Sequence, residues 1–174
     1  MPRSRKQHST LESWESRTRP ARHSRPESTR LWRVFNMIDM SGQMKELVDT
    51  NHADGWTCTV GSADKDGQPQ VSLKGSMMVF DSETLAYWER AKQTALENVA
   101  ANPKVMVFYN NMSDRIRWRF WGTAEVHESG PIRDEVMSRT VEAELERDPD
   151  RLGVAVLVKV NKIAELAGTV LQER

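Results

Sequence analysis

RIRWRFWGTAEV, residues 115–126, sets Arg115, Arg117 and Arg119 in strict alternation with Ile116, Trp118 and Phe120. Successive side chains of a strand point to opposite faces, so this stretch predicts a strand with three guanidinium groups on one face and three large apolar groups on the other. Working outward, residues 104–109 are almost continuously apolar and predict a central strand, joined to the first by a turn over 110–114. Residues 94–101 predict a helix with Ala95, Leu96, Val99 and Ala100 on one side, stopped by Asn102-Pro103 because a residue before proline is pushed out of the helical region. Strands are predicted over 85–88 and 77–80, separated by an Asp81-Ser82 turn. Asp66-Gly67, between residues 56–62 and 70–73, is a two-strand hairpin signal, since both turn positions tolerate positive φ.

Further out, Ser41 is placed to cap a short helix running to about Asn51, with Met44, Leu47 and Val48 as its apolar side. Gly130-Pro131 opens a predicted amphipathic helix over 131–146, whose stripe is Ile132, Val136, Val141 and Leu145. A last long strand is predicted over 154–160, followed by residues 162–166. Strands spaced as hairpins rather than as strand–helix–strand units predict a mainly β fold, a closed or split antiparallel β-barrel with short helices.

The 174 residues carry 25 Lys/Arg and 25 Asp/Glu, and this neutral total hides an asymmetry. Residues 1–36 hold nine cations against three Glu, while residues 37–174 hold sixteen against twenty-two acids. The first segment is rich in Arg, Ser, Thr and Pro and has no periodic apolar face, so it is expected to be a disordered basic tail preceding one domain over 37–174. Met37, Met40 and Met44 make an upstream mis-assigned start the most economical account of that tail, ahead of a solvated tail, a transit peptide or a nucleic-acid arm. The balanced charge argues against a nucleic-acid or membrane partner, and no run of about 18 apolar residues is present, so a cytoplasmic protein is expected. Cys58 stands in a strand pattern and is expected to be a small core residue. His8, His23, His52 and His127 show no metal-ligand spacing, so no metal is expected, and His127 is expected to face solvent.

Neither a dinucleotide fingerprint nor a P-loop is present. What the sequence offers is a set of groups suited to an anion. Ser72 and Lys74 lie two residues apart on one strand face, beside Gly75, whose missing side chain allows close approach. Lys92, Gln93 and Thr94 stand at the mouth of the following helix, where unpaired N–H groups favour a phosphate. Arg117 adds a possible bidentate donor from a third segment. The alternative for each is structural: strand lysines, helix caps and wetted strand faces are common.

The run from Gln68 to Tyr109, QPQVSLKGSMMVFDSETLAYWERAKQTALENVAANPKVMVFY, followed by RWRFWGTAEV, resembles the FMN-binding split β-barrel family related to pyridoxamine 5′-phosphate oxidase, over about residues 41–166. The resemblance implies that FMN is gripped along the strand ending in lysine, here Val71, Ser72, Leu73 and Lys74. It implies a contacting pair at Trp88-Glu89, with Tyr87 adjacent, and it carries a family glutamine onto Arg117. Three family cations are missing: the strand-start arginine is Pro69, and the helix-start Arg-Lys pair is Thr94-Ala95. Lys92, Thr94 and Arg117 would then have to meet the phosphate. The Arg-x-His motif of the oxidase proper is absent from LAGTVLQER, so a true pyridoxamine 5′-phosphate oxidase is not expected. The implied function is an FMN-dependent oxidoreductase acting on a small redox substrate. Its alternatives are a deazaflavin F420 or haem binder of the same fold, or a non-catalytic FMN-binding or interaction protein. Because FMN lies between two subunits in the family, a homodimer is implied. The apolar load of Met77, Met78, Phe80, Trp118, Phe120 and Trp121 supports the same expectation.

Overall fold

A computed structural model describes residues 37–92 and 94–174. The expectations for residues 1–36 and for Gln93 fall outside the described residues. The alternating stretch at 115–126 becomes β6 (Ile116–His127), and it organises the molecule, pairing along its length with β5 (Lys104–Asn111) on one side and β7 (Val154–Glu165) on the other. Arg115 falls just outside the strand, in the turn, with φ at 58°. Trp118 and Phe120 are buried on the core side, as the alternation predicts. Around this spine lie β1 (Cys58–Ala63), β2 (Pro69–Lys74), β3 (Met78–Asp81), β4 (Thr84–Glu89) and β8 (Val170–Glu173). The sheet order is β2-β1-β5-β6-β7-β4-β3 with β8 on β7, every ladder is antiparallel, and the path does not close. The predicted mainly β, split-barrel class with short helices is what forms.

The helices are α1 (Gln43–Asp49), α2 (Thr94–Ala101), α3 (Pro131–Arg139) and α4 (Glu142–Leu145). Among the described residues no helix is long and apolar enough to cross a membrane. The main core gathers Val60, Leu85, Tyr87, Val107, Tyr109, Phe120, Val156 and Val158, with Met44, Leu47 and Val48 of α1 packed on it. A second cluster holds Met78, Ala86, Trp88, Val136, Leu145 and Ala155. β4 is buried on both faces because Leu85 and Tyr87 enter the first cluster and Ala86 and Trp88 the second.

Four local expectations are corrected. Gly42, at φ 68°, precedes α1, and no side chain caps it, so Ser41 is not the cap. The β1–β2 loop spans Asp64 to Gln68. The Asp64 carboxylate accepts the N–H groups of Asp66 and Gln68, and only Gly67, at φ 86°, takes the left-handed conformation there. The helix predicted over 131–146 breaks at Thr140, which is extended, with its hydroxyl donating to the Val136 carbonyl at 2.8 Å. The break lets Val136 and Leu145 enter the same cluster although they are nine residues apart, a spacing that one straight helix would put on opposite faces. Finally, β7 runs on to Glu165 and is joined by β8, which the sequence pattern did not show.

The apolar load is absorbed within one chain. Met77, Met78, Trp118 and Phe120 are buried, while the half-buried Phe80 and Trp121 are covered by the guanidinium groups of Arg139 and Arg119 at 5.2 and 5.1 Å. The surplus of apolar side chains therefore calls for no second copy. Cys58 is buried as expected, and His127 is half-buried rather than solvent-facing.

Gly122 sits at a register irregularity between β6 and β7, where an added Cβ would lie 2.5 Å from the Lys159 carbonyl oxygen. Backbone cannot step aside cheaply, so Gly122→Ala is expected to destabilise by about 1–3 kcal/mol. Gly61→Ala, whose Cβ would meet Met106 at an ordinary 3.6 Å, is expected to be neutral or slightly stabilising. Urea unfolding of both variants checks the pair.

Candidate functional site

A cleft of about 240 Å³ opens between β2, the end of β4 with the loop after it, and the start of α2. β2 begins with proline and lies at the sheet edge, where a missing N–H is tolerated. Its alternation turns Gln70, Ser72 and Lys74 inward and leaves Val71 and Leu73 outward, each 71% exposed. Asn98 of α2 donates to the Gln70 side chain at 3.0 Å, which fixes the helix beside the strand.

The floor of the cleft is an ion pair. The Lys74 ammonium meets the Glu89 carboxylate with both side chains buried, and it lies 5.2 Å from the centre of the Tyr87 ring. The other Glu89 oxygen accepts the Ala91 N–H at 3.0 Å, which turns the chain toward α2. Burial and the neighbouring Glu89 charge push the Tyr87 phenol well above its usual range, so it stays protonated. On the opposite wall Glu144 receives Arg90 at 3.4 Å and Arg147 at 3.0 Å. A Cβ on Gly75 would stand 2.6 Å from the Glu144 carboxylate. Gly75 therefore makes room for a wall of the cleft rather than for a ligand.

Trp88 is fixed from every side. Its backbone N–H donates to the Ser76 hydroxyl at 3.0 Å and its carbonyl accepts from that hydroxyl at 3.2 Å. Its indole N–H donates to Asp148 at 2.9 Å, Arg133 lies 4.7 Å over its ring, and Gly153 packs behind it, where a Cβ would come within 2.5 Å.

Of the residues expected at the site, Ser72, Leu73, Lys74, Trp88, Glu89 and Thr94 line this cleft. Val71 points away, and Tyr87 is buried in the main core beneath Lys74. Lys92 is exposed between β4 and α2 and is not part of the lining. Arg117 does not converge with Lys74 and Thr94 within one chain. Strands β1 and β5 separate its strand from β2, and it bonds Asn110 at 3.2 Å beside a different cleft. Gln70, Ser76, Arg90, Ala91, Ala95 and Glu144 line the first cleft without having been singled out. Period two from Ser72 pointed to Gln70, but nothing local pointed to Glu144, which arrives through the break at Thr140.

Chemically the cleft has the neutral Lys74–Glu89 pair, Arg90 sharing Glu144 with Arg147, the Ser72 and Thr94 hydroxyls, and the first N–H groups of the eight-residue α2, which have no partner inside the helix. The Cys58 thiol is no candidate nucleophile, since burial pushes it up to about 12. Among the described residues no group of three His, Cys, Asp or Glu is placed to hold a metal.

Asp148 links this geometry to pH. Burial acts to raise its carboxyl, but hydrogen bonds from the Gly153 and Leu152 N–H groups and from Trp88, helped by Arg151, outweigh that and hold it below its ordinary value of 3.8. A carboxyl lowered by folding contributes stability above its unfolded value and loses that contribution as pH falls through its folded one. The stability difference between wild type and Asp148→Asn is therefore expected to be full at pH 6 and to shrink below about pH 4, as measured by urea unfolding across that range.

The sequence matches the family model described as pyridoxamine 5′-phosphate oxidase over residues 43–166. No curated protein matches it. Among solved structures, Group A Streptococcus HupZ is 25% identical and aligns over 77% of this chain and 98% of its own, with a TM-score of 0.58. A candidate pyridoxamine 5′-phosphate oxidase from Lactobacillus delbrueckii is 27% identical over 74% of this chain and 99% of its own, with a TM-score of 0.56. An FMN-binding protein from Syntrophomonas wolfei shares the fold at 12% identity, covering 70% of this chain and 85% of its own with a TM-score of 0.55.

Proposed function

The chain belongs to the pyridoxamine 5′-phosphate oxidase family, and on that premise we propose that it is an FMN-binding flavoprotein that transfers electrons or hydride to or from a small redox substrate. The observation that carries the reading is the cleft itself: the family's lysine-ended strand and the start of the next helix meet in one polar pocket. Bound FMN supplies the redox chemistry, and the protein's part is to bind, orient and shield it.

The donor set suits one phosphate, held differently from the sequence expectation. Lys74 is neutralised by Glu89, while Arg90 shares Glu144 with Arg147 and is only partly compensated. The Ser72 and Thr94 hydroxyls and the α2 N-terminus would hold the phosphate, with Lys92 as the nearby cation that has no ion-pair partner among the described residues. Trp88, fixed by Asp148 and Ser76, offers a rigid wall.

A cleft of about 240 Å³ falls below the roughly 300–1,000 Å³ of ligand pockets. One chain therefore covers only part of an FMN, and a second copy completes the site in this reading. Val71 and Leu73, exposed on an unpaired edge strand beside the cleft, suit such a contact.

Two measurements test the reading. FMN fluorescence should be quenched on binding, with Thr94→Val weakening affinity about fivefold through loss of about 1 kcal/mol, while riboflavin, lacking the phosphate, should bind weakly and ignore that change. Equal responses of the two flavins to Thr94→Val, or no binding of either, would overturn it. Light scattering should show a dimer with FMN, and Val71→Asp should shift it toward monomer and weaken FMN together. A stable wild-type monomer that binds FMN tightly would remove the second copy from the site.

A further inference from the structure

We infer that Arg90 is the charged ligand of an FMN phosphate in the β2–α2 cleft, reached by an exchange of partners: Arg90 leaves Glu144 to Arg147 and turns its guanidinium fork onto the phosphate. The inference rests on the flavin reading and adds to it a cation that neither the sequence pattern nor the resemblance contains.

The ligand sets the need. A phosphate monoester carries a charge of about −1.5 to −2 at neutral pH, which hydroxyls and helix N–H groups alone leave unneutralised. The positions where the resemblance calls for cations hold Pro69, Thr94 and Ala95. The cations in the lining of the cleft are Lys74 and Arg90, while Lys92 lies outside it. Lys74 is committed to Glu89, with the two side chains 9% and 4% exposed, so withdrawing it would strand a buried carboxylate. Arg90 is the cation that can be recruited.

Its present contact is easily given up. Arg90 reaches Glu144 through Nε alone, at 3.4 Å, from a side chain that is 40% exposed. A long, partly solvated pair of this kind contributes little stability. The two terminal amino groups of Arg90 have no partner among the described residues, and these are the donors that grip two phosphate oxygens together. Arg147 holds the other Glu144 oxygen at 3.0 Å, so the acid keeps a partner when Arg90 leaves. Glu144 is itself 10% exposed and seated in the notch at Gly75, where a Cβ would stand 2.6 Å from Oε1. It therefore stays on its wall while Arg90 moves. Two guanidinium groups on one carboxylate also leave one positive charge in excess, and an anion in the cleft relieves their repulsion. The Ala91 N–H, donated to Glu89 at 3.0 Å, holds the main chain beside Arg90, so the exchange needs only side-chain rotation. Arg90, Ala91 and Thr94 line the same cavity, which puts fork and hydroxyl on one ligand.

Affinities for FMN and for riboflavin, measured by flavin fluorescence quenching on the full chain, test the exchange. FMN affinity is expected to fall about tenfold in Arg90→Gln and less in Arg90→Lys, which keeps the charge but not the fork. Arg147→Gln is expected to weaken FMN as well, because Glu144 then holds Arg90 alone. Glu144→Gln is expected to tighten FMN, because it frees Arg90. A wall with a merely structural role does not give opposite signs at Arg147 and Glu144. Riboflavin, lacking the phosphate, should respond to none of these changes. Arg147 is 59% exposed, so Arg147→Gln keeps the test decisive if a change at Glu144 disturbs folding. Equal FMN affinity in wild type and Arg90→Gln, a loss in Lys92→Gln in its place, or equal losses for both flavins overturns the inference and leaves the flavin reading standing. Failure of the wild type to bind either flavin removes both.

Discussion

The two ends of the sheet meet through one buried ion pair. β2 begins the strand order and β4 stands next to its other end, so no backbone ladder joins them. Lys74 closes β2 and Glu89 closes β4, and their side chains meet at 9% and 4% exposure. Immediately beyond, the Ser76 hydroxyl both donates to and accepts from the Trp88 main chain. A split barrel needs something other than strand pairing to hold its open side, and here a charge-assisted bond and a serine serve. Such a pair contributes little net stability once both charges are desolvated, but removing one partner strands a buried charge at about 3–5 kcal/mol. Against the total of about 5–15 kcal/mol typical of folded domains, that is a large fraction.

This constraint determines the character of the cleft. A lysine that secures the sheet is not free to secure a phosphate, and Glu89 cannot leave it without exposing an unpaired charge to a low-dielectric floor. The opposite wall repeats the pattern, with Glu144 shared by Arg90 and Arg147 and seated against Gly75. The cleft is therefore polar, with a neutral pair on its floor and two guanidinium groups sharing one carboxylate on its opposite wall.

Much of this was legible in the sequence, and the failures share one cause. Alternation at 115–126 placed Trp118 and Phe120 in the core, and the apolar spacing at 94–101 gave α2, because both signals are periodic and local. Inward placement of Ser72 and Lys74 followed from the same period. What could not be read were contacts between segments far apart in the chain. The partner of Lys74 is fifteen residues away, and Glu144 reaches Gly75 only because the helix breaks at Thr140. Arg117 had the right chemistry for a phosphate, yet strand order, which no local pattern encodes, put it on the central strand with β1 and β5 between it and β2. Gly75 was recognised as a point of close approach, but the group that approaches it is a carboxylate from the protein itself.

The position of the arginine row follows from the apolar residues it alternates with. Its apolar half, Trp118 and Phe120, is required for the core, and the strand period then forces residues 117 and 119 to the opposite face whatever their chemistry. A solvated face would be satisfied by any polar residue, and nearby carboxylates would normally accompany cations there. Asp114 is held by Asn111 and Glu173 is bound to Lys162 at 3.0 Å, while Glu165 lies in the same recess as Arg115 and Arg117 without an ion pair among the described residues. Folding alone does not require three uncompensated guanidinium groups around one strand. Their position beside an apolar recess is a feature of this surface that packing does not explain.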